Sequence, residues 1–253
     1  MSEQRNVNTI IKAADILKII TKGINQSSNI AGNLDLSRST THRLLKTLQA
    51  AEFVVQDPIT LRYSLGPFVH YLADYANRHH HNLVFCALPE MERLRSITGE
   101  TIILVIRAGL RRTYLEELAS FHPLKYAAGK GYSSPVHAGA TGKVLLSEMD
   151  SPELLRLIDS ISLEKVAPNT ITDRDTLLNE IGNVRRNGYA VSYSELVAGA
   201  ASVAVPIHHY SQPVAMCVLG PENRMANRTD EILRELRSSA SAIEKALSKE
   251  PPH

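Results

Sequence analysis

The sequence contains no tryptophan and only 2 cysteines, Cys86 and Cys217. These two residues stand far apart and match no metal-ligand spacing, so we expect them to be reduced core or pocket residues. No stretch approaches the roughly 18 uninterrupted apolar residues of a membrane-spanning helix. The first residues, MSEQRNVN, also lack the apolar core of a signal peptide. We therefore expect a soluble, cytoplasmic protein with no membrane partner.

Catalytic signatures are missing as well. The chain has no GxSxG elbow, HExxH motif, P-loop or Rossmann glycine fingerprint. His137 lies near Ser133 and Ser134 in the sequence, so one interpretation is a catalytic pair in which a serine is the nucleophile and His137 the base. The alternative is a structural role, in which His137 fixes the loop before the next helix. Residues 79–81 are all histidine, but adjacent positions diverge around a helix and have no acidic companions, which favours a solvated linker over a metal site. We therefore expect that the protein is not an enzyme and that it binds no cofactor and no metal ion.

The composition is that of an ordinary globular protein. The 253 residues are 43% hydrophobic and 21% charged, and they suffice for one large domain or two modest ones. Residues 1–65 contain 8 Lys and Arg against 5 Asp and Glu, and the remaining chain contains 20 against 21. The net charges are therefore +3 and −1. A small basic module on a nearly neutral body suits specific DNA binding better than bulk polyanion binding.

Segment 34–48, LDLSRSTTHRLLKTL, has the pattern of a DNA-reading helix. Ser37 is a natural N-cap, and an apolar stripe follows at three- and four-residue spacing: Thr41, Leu44, Leu45 and Leu48. The opposite side carries basic and hydrogen-bonding residues: Arg38, Ser39, Thr40, His42, Arg43, Lys46 and Gln49. Small residues at the leading end permit close approach to a major groove, and Arg or Lys reaches phosphates or guanine edges. A solvated amphipathic helix is the alternative from this stretch alone.

The flanking segments favour a winged helix-turn-helix. A helix is predicted over 7–20, and a short second helix is predicted after a cap at Ser27 or Ser28. Two β-favouring runs, 53–56 and 61–65, surround an Asp-Pro turn and predict a hairpin that acts as a wing. Arg62 and Tyr63 of the wing could reach the DNA backbone or minor groove, or could be simple strand residues.

The remaining chain predicts a second domain. Helices are expected at 67–78, at 83–97 before a closing Gly99, at 139–148, from an N-cap at Ser151, from after Thr172 to Gly188, and at 228–247. Strands are expected at 101–107, 112–118, 202–208 and 213–219, with an irregular segment at 129–138. Strand pairs without βαβ regularity indicate an α+β fold with an antiparallel sheet. The expected domains are 1–66, a linker helix at 67–81, and 82–253.

Over nearly its entire length, the chain resembles IclR-type bacterial transcriptional regulators. The resemblance rests on SRSTTHRLLKTL with EFVVQDPITLRYSLGP, and on GETIILVIRAG, PVHAGATGKVLL and GYAVSYSELVAGAASVAVPIHH. The last stretch matches the family signature at Gly188, Ser192, Glu195, Ser202, Val203, Ala204, Ile207 and His208, and it departs at His209. The resemblance implies a winged helix-turn-helix, a linker helix and a GAF-like effector domain. It further implies homodimers or dimers of dimers that bind palindromic operators, commonly near catabolic genes, as repressors or activators.

The resemblance also implies functional residues. The predicted DNA-binding residues are Ser37, Arg38, Ser39, Thr40, Thr41, Arg43, Lys46, Arg62 and Tyr63. A small organic acid is expected at a helix start, where free amides and the helix dipole favour an anion. The predicted effector-binding residues are Gly139, Ala140, Thr141, Ser192, Ser202, Cys217 and Leu219. The last four differ from the Asp, Cys, Ser and Ser of well-known members, so we expect a ligand larger or less polar than glyoxylate or pyruvate. A DNA-binding protein whose second domain only oligomerises is the alternative.

Overall fold

The chain forms two compact units, Met1–His79 and His80–His253. The structure is a computed structural model that describes residues 2–78 and 80–249, without the side chains of residues 2–7 and Asn77. Within the described residues, no helix is long and apolar enough to cross a membrane. Both units mix helices with antiparallel strands, so the predicted α+β class is confirmed.

The first unit is the predicted winged helix-turn-helix. Its elements, in order, are α1 (Ser2–Thr21), α2 (Ser27–Asn33), α3 (Arg38–Ala50), β1 (Val54–Gln56), β2 (Tyr63–Leu65) and α4 (Pro67–Arg78). The strands β1 and β2 pair antiparallel, with Val54 opposite Leu65. Apolar side chains from α1, α2, α3 and both strands form its core, among them Ile16, Ile30, Leu45 and Val54, all with no exposed surface. Burying one such side chain contributes about 1.5–3 kcal/mol, so this core holds α3 in place.

Local capping explains where α3 begins. Ser37 is its N-cap, as predicted, and its hydroxyl accepts a hydrogen bond from the amide of Thr40 at 3.2 Å. The predicted cap of α2 is wrong, because Gln26 holds that position without a side-chain hydrogen bond and Ser27 is already helical. Gly66 connects β2 to α4, and a Cβ at that position would lie 2.1 Å from the backbone oxygen of Glu52.

The second unit is built on a six-stranded antiparallel sheet in the order β5-β4-β3-β8-β7-β6. Its strands are β3 (Thr101–Ala108), β4 (Arg111–Leu118), β5 (Ser133–Pro135), β6 (Ala190–Tyr193), β7 (Ala200–Ile207) and β8 (Val214–Pro221). Its helices are α5 (His81–Thr98), α6 (Ala140–Ser147), α7 (Ser151–Ser160), α8 (Arg174–Asn187), α9 (Glu222–Met225) and α10 (Thr229–Leu247).

Helices cover both faces of this sheet. Helices α5 and α10 pack on one face, against alternate residues such as Ile102, Leu104 and Val203. Helix α6, backed by α8, packs on the other face, against Ile103, Ala204 and their neighbours. Successive side chains of a strand point to opposite faces of the sheet, so each strand contributes alternate residues to the two cores.

Several predicted boundaries of the second unit are wrong. Segment 129–138 is not wholly irregular, because Ser133–Pro135 forms the edge strand β5. Asp150, rather than Ser151, caps α7. The predicted limits of α8 are confirmed, because Asp173 is its N-cap and Gly188 its C-cap. The carboxylate of each N-cap accepts a free first-turn amide, and its charge also interacts favourably with the positive helix end. The predicted closing of α5 by Gly99 is confirmed, with a left-handed φ of 74°.

The predicted solvated linker at residues 79–81 is partly wrong. His79 lies outside the described residues. His80 is half-buried, and its Nδ1 lies 2.7 Å from the hydroxyl of Tyr210. His81 is the first residue of α5 and stacks on Phe85. Of these histidines, the two described therefore belong to the folded second unit.

Candidate nucleic-acid interface and effector cavity

The solvent face of α3 presents the predicted basic and hydroxyl residues. Arg38, Ser39, Arg43 and Lys46 are exposed, and Thr40 is half-buried. These exposed groups offer hydrogen-bond donors in the first turn and cations along the rest of the helix. Such an arrangement can follow a phosphate backbone and reach base edges in a major groove.

The hydroxyls at the start of α3 are already linked to each other. The Oγ of Ser37 donates to the Oγ1 of Thr40 at 2.8 Å and lies 3.1 Å from the Oγ of Ser39. This cluster orders the first turn before any partner arrives.

Thr41 does not belong to this surface, so its predicted DNA contact is wrong. Its side chain has no exposed area, and its hydroxyl donates to the backbone oxygen of Ser37 at 3.1 Å. The residue was assigned both to the apolar stripe and to the DNA face. Helical geometry permits one of these positions, because residues three and four apart, such as Thr41, Leu44 and Leu45, share a face.

The tip of the wing is a tight turn held by Asp57. One oxygen of its carboxylate accepts the amides of Ile59 at 2.9 Å and Thr60 at 2.6 Å, and the hydroxyl of Thr60 at 2.9 Å. These hydrogen bonds, those of Thr60 first, lower the pKa of Asp57 below its ordinary value. The turn leaves Arg62 exposed beside β2, where its guanidinium is free to approach a phosphate.

Tyr63 is the second predicted DNA contact that the structure contradicts. Its side chain is 2% exposed and lies in the core of the first unit, and burial raises the pKa of its hydroxyl. Side chains two apart in a strand share a face, and in β2 Tyr63 shares the inward face with Leu65, which packs against the same core. Arg62 precedes β2 and is exposed.

A cavity of about 230 Å³ lies in the second unit, between the sheet and the start of α6. Its floor comes from β3, β6, β7 and β8, β4 contributes Arg112 and Tyr114, and its walls come from the loops around residues 126–132 and 196–200. It is lined by Ile103, Arg112, Tyr114, Tyr126, Ala127, Ala128, Tyr132, Gly139, Thr141, Ser192, Leu196, Val197, Ala200, Ser202, Cys217 and Leu219.

Six of the seven residues predicted to bind an effector meet at this cavity: Gly139, Thr141, Ser192, Ser202, Cys217 and Leu219. They come from four separate segments of the chain. The seventh, Ala140, is absent from the lining, because its side chain is buried in the core beneath α6. Its predicted contact would have to come from its backbone amide.

The polar groups on the cavity floor are neutral. The hydroxyls of Ser192 and Ser202 lie 2.9 Å apart and share a hydrogen bond. Burial raises the pKa of the Cys217 thiol to about 12, although the Arg112 guanidinium opposes that shift. Cys217 therefore remains protonated, as a weak hydrogen-bond donor and acceptor. These residues can meet a hydroxyl or carbonyl but supply no charge.

Two glycines determine the backbone geometry at the start of α6, beside the cavity. Gly139 is the N-cap, with a left-handed φ of 84°. At Gly142, a Cβ would lie 2.0 Å from the backbone oxygen of Val136. The first-turn amides that follow Gly139 have no intrahelical acceptor and carry the positive end of the helix dipole. This end of the cavity therefore favours an anion.

The same helix is fixed by a buried ion pair. The Nζ of Lys143 donates to Glu195 Oε1 at 2.7 Å and to the backbone oxygen of Val191 at 2.9 Å. The other oxygen of Glu195 accepts the amide of Gly139 at 3.2 Å. Each charge therefore has its partner within the protein, and Glu180 Oε2 lies 3.5 Å from the same Nζ. Lys143 attaches α6 to β6 through Val191 and to the segment after β6 through Glu195.

Arg112, which was not among the predicted site residues, lies directly beneath the start of α6. Its side chain is 2% exposed; its Nε donates to Ser134 Oγ at 3.0 Å and its Nη1 to Thr141 Oγ1 at 2.5 Å. Burial lowers the pKa of Arg112, because the guanidinium loses its hydration. The signal was available, since Arg112 and Tyr114 stand two apart in a strand and must share a face.

Three tyrosines and an ordered loop close the cavity. Tyr114 and Tyr132 pack edge to face, with ring centroids 5.2 Å apart. Tyr126 donates its hydroxyl to the backbone oxygen of Ala198 at 3.0 Å. Glu117 holds the same loop by accepting the amides of Ala128 and Gly129, each at 3.0 Å. The walls are thus largely apolar, with phenol groups at their edges.

The hydrogen bonds of His137, Ser133 and Ser134 are not those of a nucleophile–base pair. His137 is 2% exposed, and its Nε2 lies 3.0 Å from the backbone oxygen of Glu164. The hydroxyls of Ser133 and Ser134 accept instead from Arg111 and Arg112. His137 therefore fixes the segment before α6. Among the described residues, no group of three or more His, Cys, Asp or Glu side chains could hold a metal ion.

Comparison with known proteins agrees with both units. Residues 9–58 match the IclR helix-turn-helix domain, and residues 75–245 match the bacterial transcriptional regulator IclR C-terminal domain. The chain is 33% identical to the HTH-type transcriptional repressor AllR of Escherichia coli (strain K12), over 96% of this chain and 92% of that protein. It is 31% identical to the same-named repressor of Salmonella paratyphi A, over 98% and 93%.

Solved structures give the same result. A Microbacterium hydrocarbonoxydans IclR homolog complexed with 4-hydroxybenzoate aligns with a TM-score of 0.77 and 25% identity, over 96% of this chain and 100% of that one. The Thermotoga maritima IclR structure aligns with a TM-score of 0.73 and 26% identity, over 95% and 99%.

Proposed function

Since the chain belongs to the IclR family of DNA-binding transcriptional regulators, we propose that it represses transcription under the control of a small organic acid. The acid binds in the cavity of the second unit and changes the affinity of the first unit for a palindromic operator. The observation that carries the proposal is the meeting of Gly139, Thr141, Ser192, Ser202, Cys217 and Leu219 around one cavity. Relatives named as repressors, and one complexed with 4-hydroxybenzoate, support it.

In this proposal the operator is read by the exposed residues of α3. Arg38, Ser39 and Thr40 enter the major groove, while Arg43 and Lys46 neutralise phosphates. Arg62 reaches the backbone from the wing. Ser37 acts through the cap that orders the first turn, because its hydroxyl is already bonded to Thr40.

The proposed assembly is a homodimer or a dimer of dimers, in which two first units read two half-sites. Two-fold symmetry of the protein would then match the palindrome. Residues 1–66 form the DNA-binding domain, 67–81 the linker helix and 82–253 the effector and oligomerisation domain. The target is an operon for catabolism of the acid, and the protein works in the cytoplasm, where the DNA is.

The experiment uses the full chain and a duplex that the protein selects from a randomised DNA pool. Fluorescence anisotropy measures operator affinity with and without a panel of organic acids. We expect at least one acid to change the affinity by about 5-fold or more, the usual lower range of allosteric coupling. Tight operator binding that no acid changes would favour the alternative in which the second unit only oligomerises.

A second arm of the experiment tests the DNA face. The Arg38→Ala, Arg43→Ala double variant should remain folded and lose operator binding, because both side chains are exposed and neither supports the core. Wild-type affinity of this variant would contradict the assignment of α3 as the reading helix.

A further inference from the structure

Of the described residues that line the cavity, Arg112 alone carries a charged side chain. No carboxylate of the described residues lies within 4.0 Å of its guanidinium. Its two side-chain partners, Ser134 and Thr141, are neutral hydroxyls. A buried cation that has neutral partners only is costly, because hydroxyls replace part of its hydration but none of its counter-charge.

The surrounding charges do not remove this cost. Glu195 is paired with Lys143 at 2.7 Å, and Glu117 is bonded to the amides of Ala128 and Gly129. Arg112 also lies under the start of α6, where Nη2 would be 3.3 Å from a Cβ at Gly139. The helix dipole is positive at that end, so it adds to the unfavourable potential. A ligand anion in the cavity that contacts both the guanidinium and the first-turn amides would offset the uncompensated charge and the unfavourable helix dipole.

We propose that Arg112 is the counter-ion of the effector, and that the effector is a monocarboxylic acid with an apolar body. The inference rests on the proposed function, because it concerns the same cavity. The guanidinium and the amides of α6 bind the carboxylate. The body of the acid lies against Ile103, Leu219 and the Tyr114–Tyr132 pair.

The walls explain why one carboxylate is preferred to two. Away from Arg112, the lining includes the apolar side chains of Ile103, Val197 and Leu219, against which a second carboxylate would lose its hydration without compensation. A neutral hydroxyl or carbonyl on the ligand is acceptable, because Ser192 and Ser202 can rearrange their shared hydrogen bond to meet it.

The test measures thermal stabilisation and calorimetric binding of the full-length protein. The probes are benzoate, phenylacetate and hexanoate, their uncharged amides, and the dicarboxylate phthalate. We expect saturable stabilisation by at least one of the three acids. The matching amide and phthalate should bind at least about 10-fold more weakly, the scale of a lost charge-assisted hydrogen bond.

Arg112→Gln is the decisive variant, and Arg111→Gln is its matched control. Arg111 is the neighbouring residue of β4, is exposed and bonds to Ser133. Arg112→Gln should weaken binding of the acid at least about 10-fold and bring acid and amide to equal affinity. Arg111→Gln should bind as the wild type does. Arg112→Lys, which keeps a charge without the planar fork, should fall between them.

Stability of the free protein separates this role from a structural one. If Arg112 serves the ligand, Arg112→Gln should unfold at a temperature within a few degrees of the wild type. If it only holds β5 and α6 through Ser134 and Thr141, the variant should lose thermal stability while any binding difference between acid and amide persists. A loss of thermal stability with a persisting difference between acid and amide would overturn the inference. The inference would also be overturned if none of the three acids stabilised the protein.

Operator binding shows which of the two proposals fails. An acid that changes operator affinity equally in wild type and Arg112→Gln would refute the inference and leave the proposed function standing. An acid whose binding depends on Arg112 but does not change operator affinity would support the inference and refute the proposed function.

Discussion

The Nζ of Lys143 lies 2.7 Å from Glu195 Oε1, and the side chains are 2% and 9% exposed. A buried pair of this kind adds little net stability compared with apolar residues, but removal of Glu195 leaves the buried Lys143 with only the half-exposed carboxylate of Glu180, whose Oε2 lies 3.5 Å from Nζ. Glu195→Ala should therefore lower the free energy of unfolding by about 3 kcal/mol, the lower end of the cost of breaking a buried ion pair. Chemical denaturation of the full chain, followed by circular dichroism, measures the change.

The double variant Lys143→Met, Glu195→Leu is the control for that prediction. It removes both charges at once, so it should recover most of the loss caused by Glu195→Ala. A second control is the exposed pair of Arg174 and Asp159, 2.8 Å apart, where Asp159→Ala should cost less than about 1 kcal/mol. Equal losses at the buried and exposed pairs would contradict the argument.

Two helical glycines should respond in opposite ways to alanine. At Gly142 a Cβ would lie 2.0 Å from the backbone oxygen of Val136, so Gly142→Ala must displace the start of α6. At Gly182, inside α8, the nearest atom would be the Nη1 of Arg186 at 3.7 Å. Gly182→Ala should raise the free energy of unfolding by about 0.5–1 kcal/mol, the helix-propensity difference.

Thermal denaturation and acid binding measure both glycine variants. Gly142→Ala should lower the melting temperature and weaken binding of any acid that stabilises the wild type, because the first-turn amides of α6 move. Gly182→Ala should leave acid binding unchanged. A Gly142→Ala protein as stable as the wild type would show that the segment at Val136 can yield.

Amphipathic patterns were sufficient for most of the helices and for the long strands. The stripe ending at Leu48 placed α3 correctly, since one apolar face and a hydroxyl cap define both the helix and its start. Short edge strands were harder. Ser133–Pro135 and Ala190–Tyr193 have three and four residues, too few to show a period of their own, and their pairing with β4 and β7 decides their state.

The prediction of site residues was wrong where one residue was placed on two faces of its element. It was incomplete where the contacts of a residue are distant in sequence. Thr41 and Tyr63 have polar groups but lie on buried faces, and the burial follows from periods of 3.6 and 2. Arg112 was overlooked because an arginine in RRTYLEEL suggests an exposed position. The strand period places Arg112 on the face of Tyr114, but its hydrogen-bond partners, Ser134 and Thr141, are 22 and 29 residues away. Such contacts require the folded sheet.

The division of α3 into reading and buried residues predicts a contrast in salt dependence. Arg38→Ala with Arg43→Ala should lower operator affinity and reduce the slope of log K against log salt concentration by about 0.9 for each phosphate that the protein no longer neutralises. Thr41→Val removes only a buried hydrogen bond to Ser37, so it should cost about 1 kcal/mol of folding stability. Its operator affinity and salt slope should equal those of the wild type.

Lys18→Ala provides the control for these charge changes. Lys18 is exposed on α1 and lies 3.0 Å from Asp15, so its removal changes the net charge without touching α3. Fluorescence anisotropy over a range of salt concentrations compares all three variants. A weaker salt slope in Thr41→Val, or an unchanged one in the arginine double variant, would reverse the assignment of the two faces.

The carboxylate cap of α8 predicts a pH dependence of stability. Asp173 accepts the hydroxyl of Thr176 at 2.6 Å and its amide at 2.8 Å, and these bonds lower the pKa of Asp173 below its ordinary value of 3.8. Because the folded pKa is the lower one, the stabilisation is fully present above the unfolded pKa. It is lost as the pH falls through the folded pKa.

Asp173→Asn keeps an oxygen acceptor at the cap and removes its charge. Wild type should therefore be more stable than this variant at neutral pH, and the difference should shrink to zero as the pH falls below about 3.8, the ordinary value at which the unfolded carboxyl titrates. Urea denaturation of both proteins at a series of pH values measures the difference. Glu92→Gln, at an exposed position inside α5 that caps no helix, is the matched control. A stability difference for Asp173→Asn that is constant across this range would show that the charge of Asp173 adds nothing to the cap.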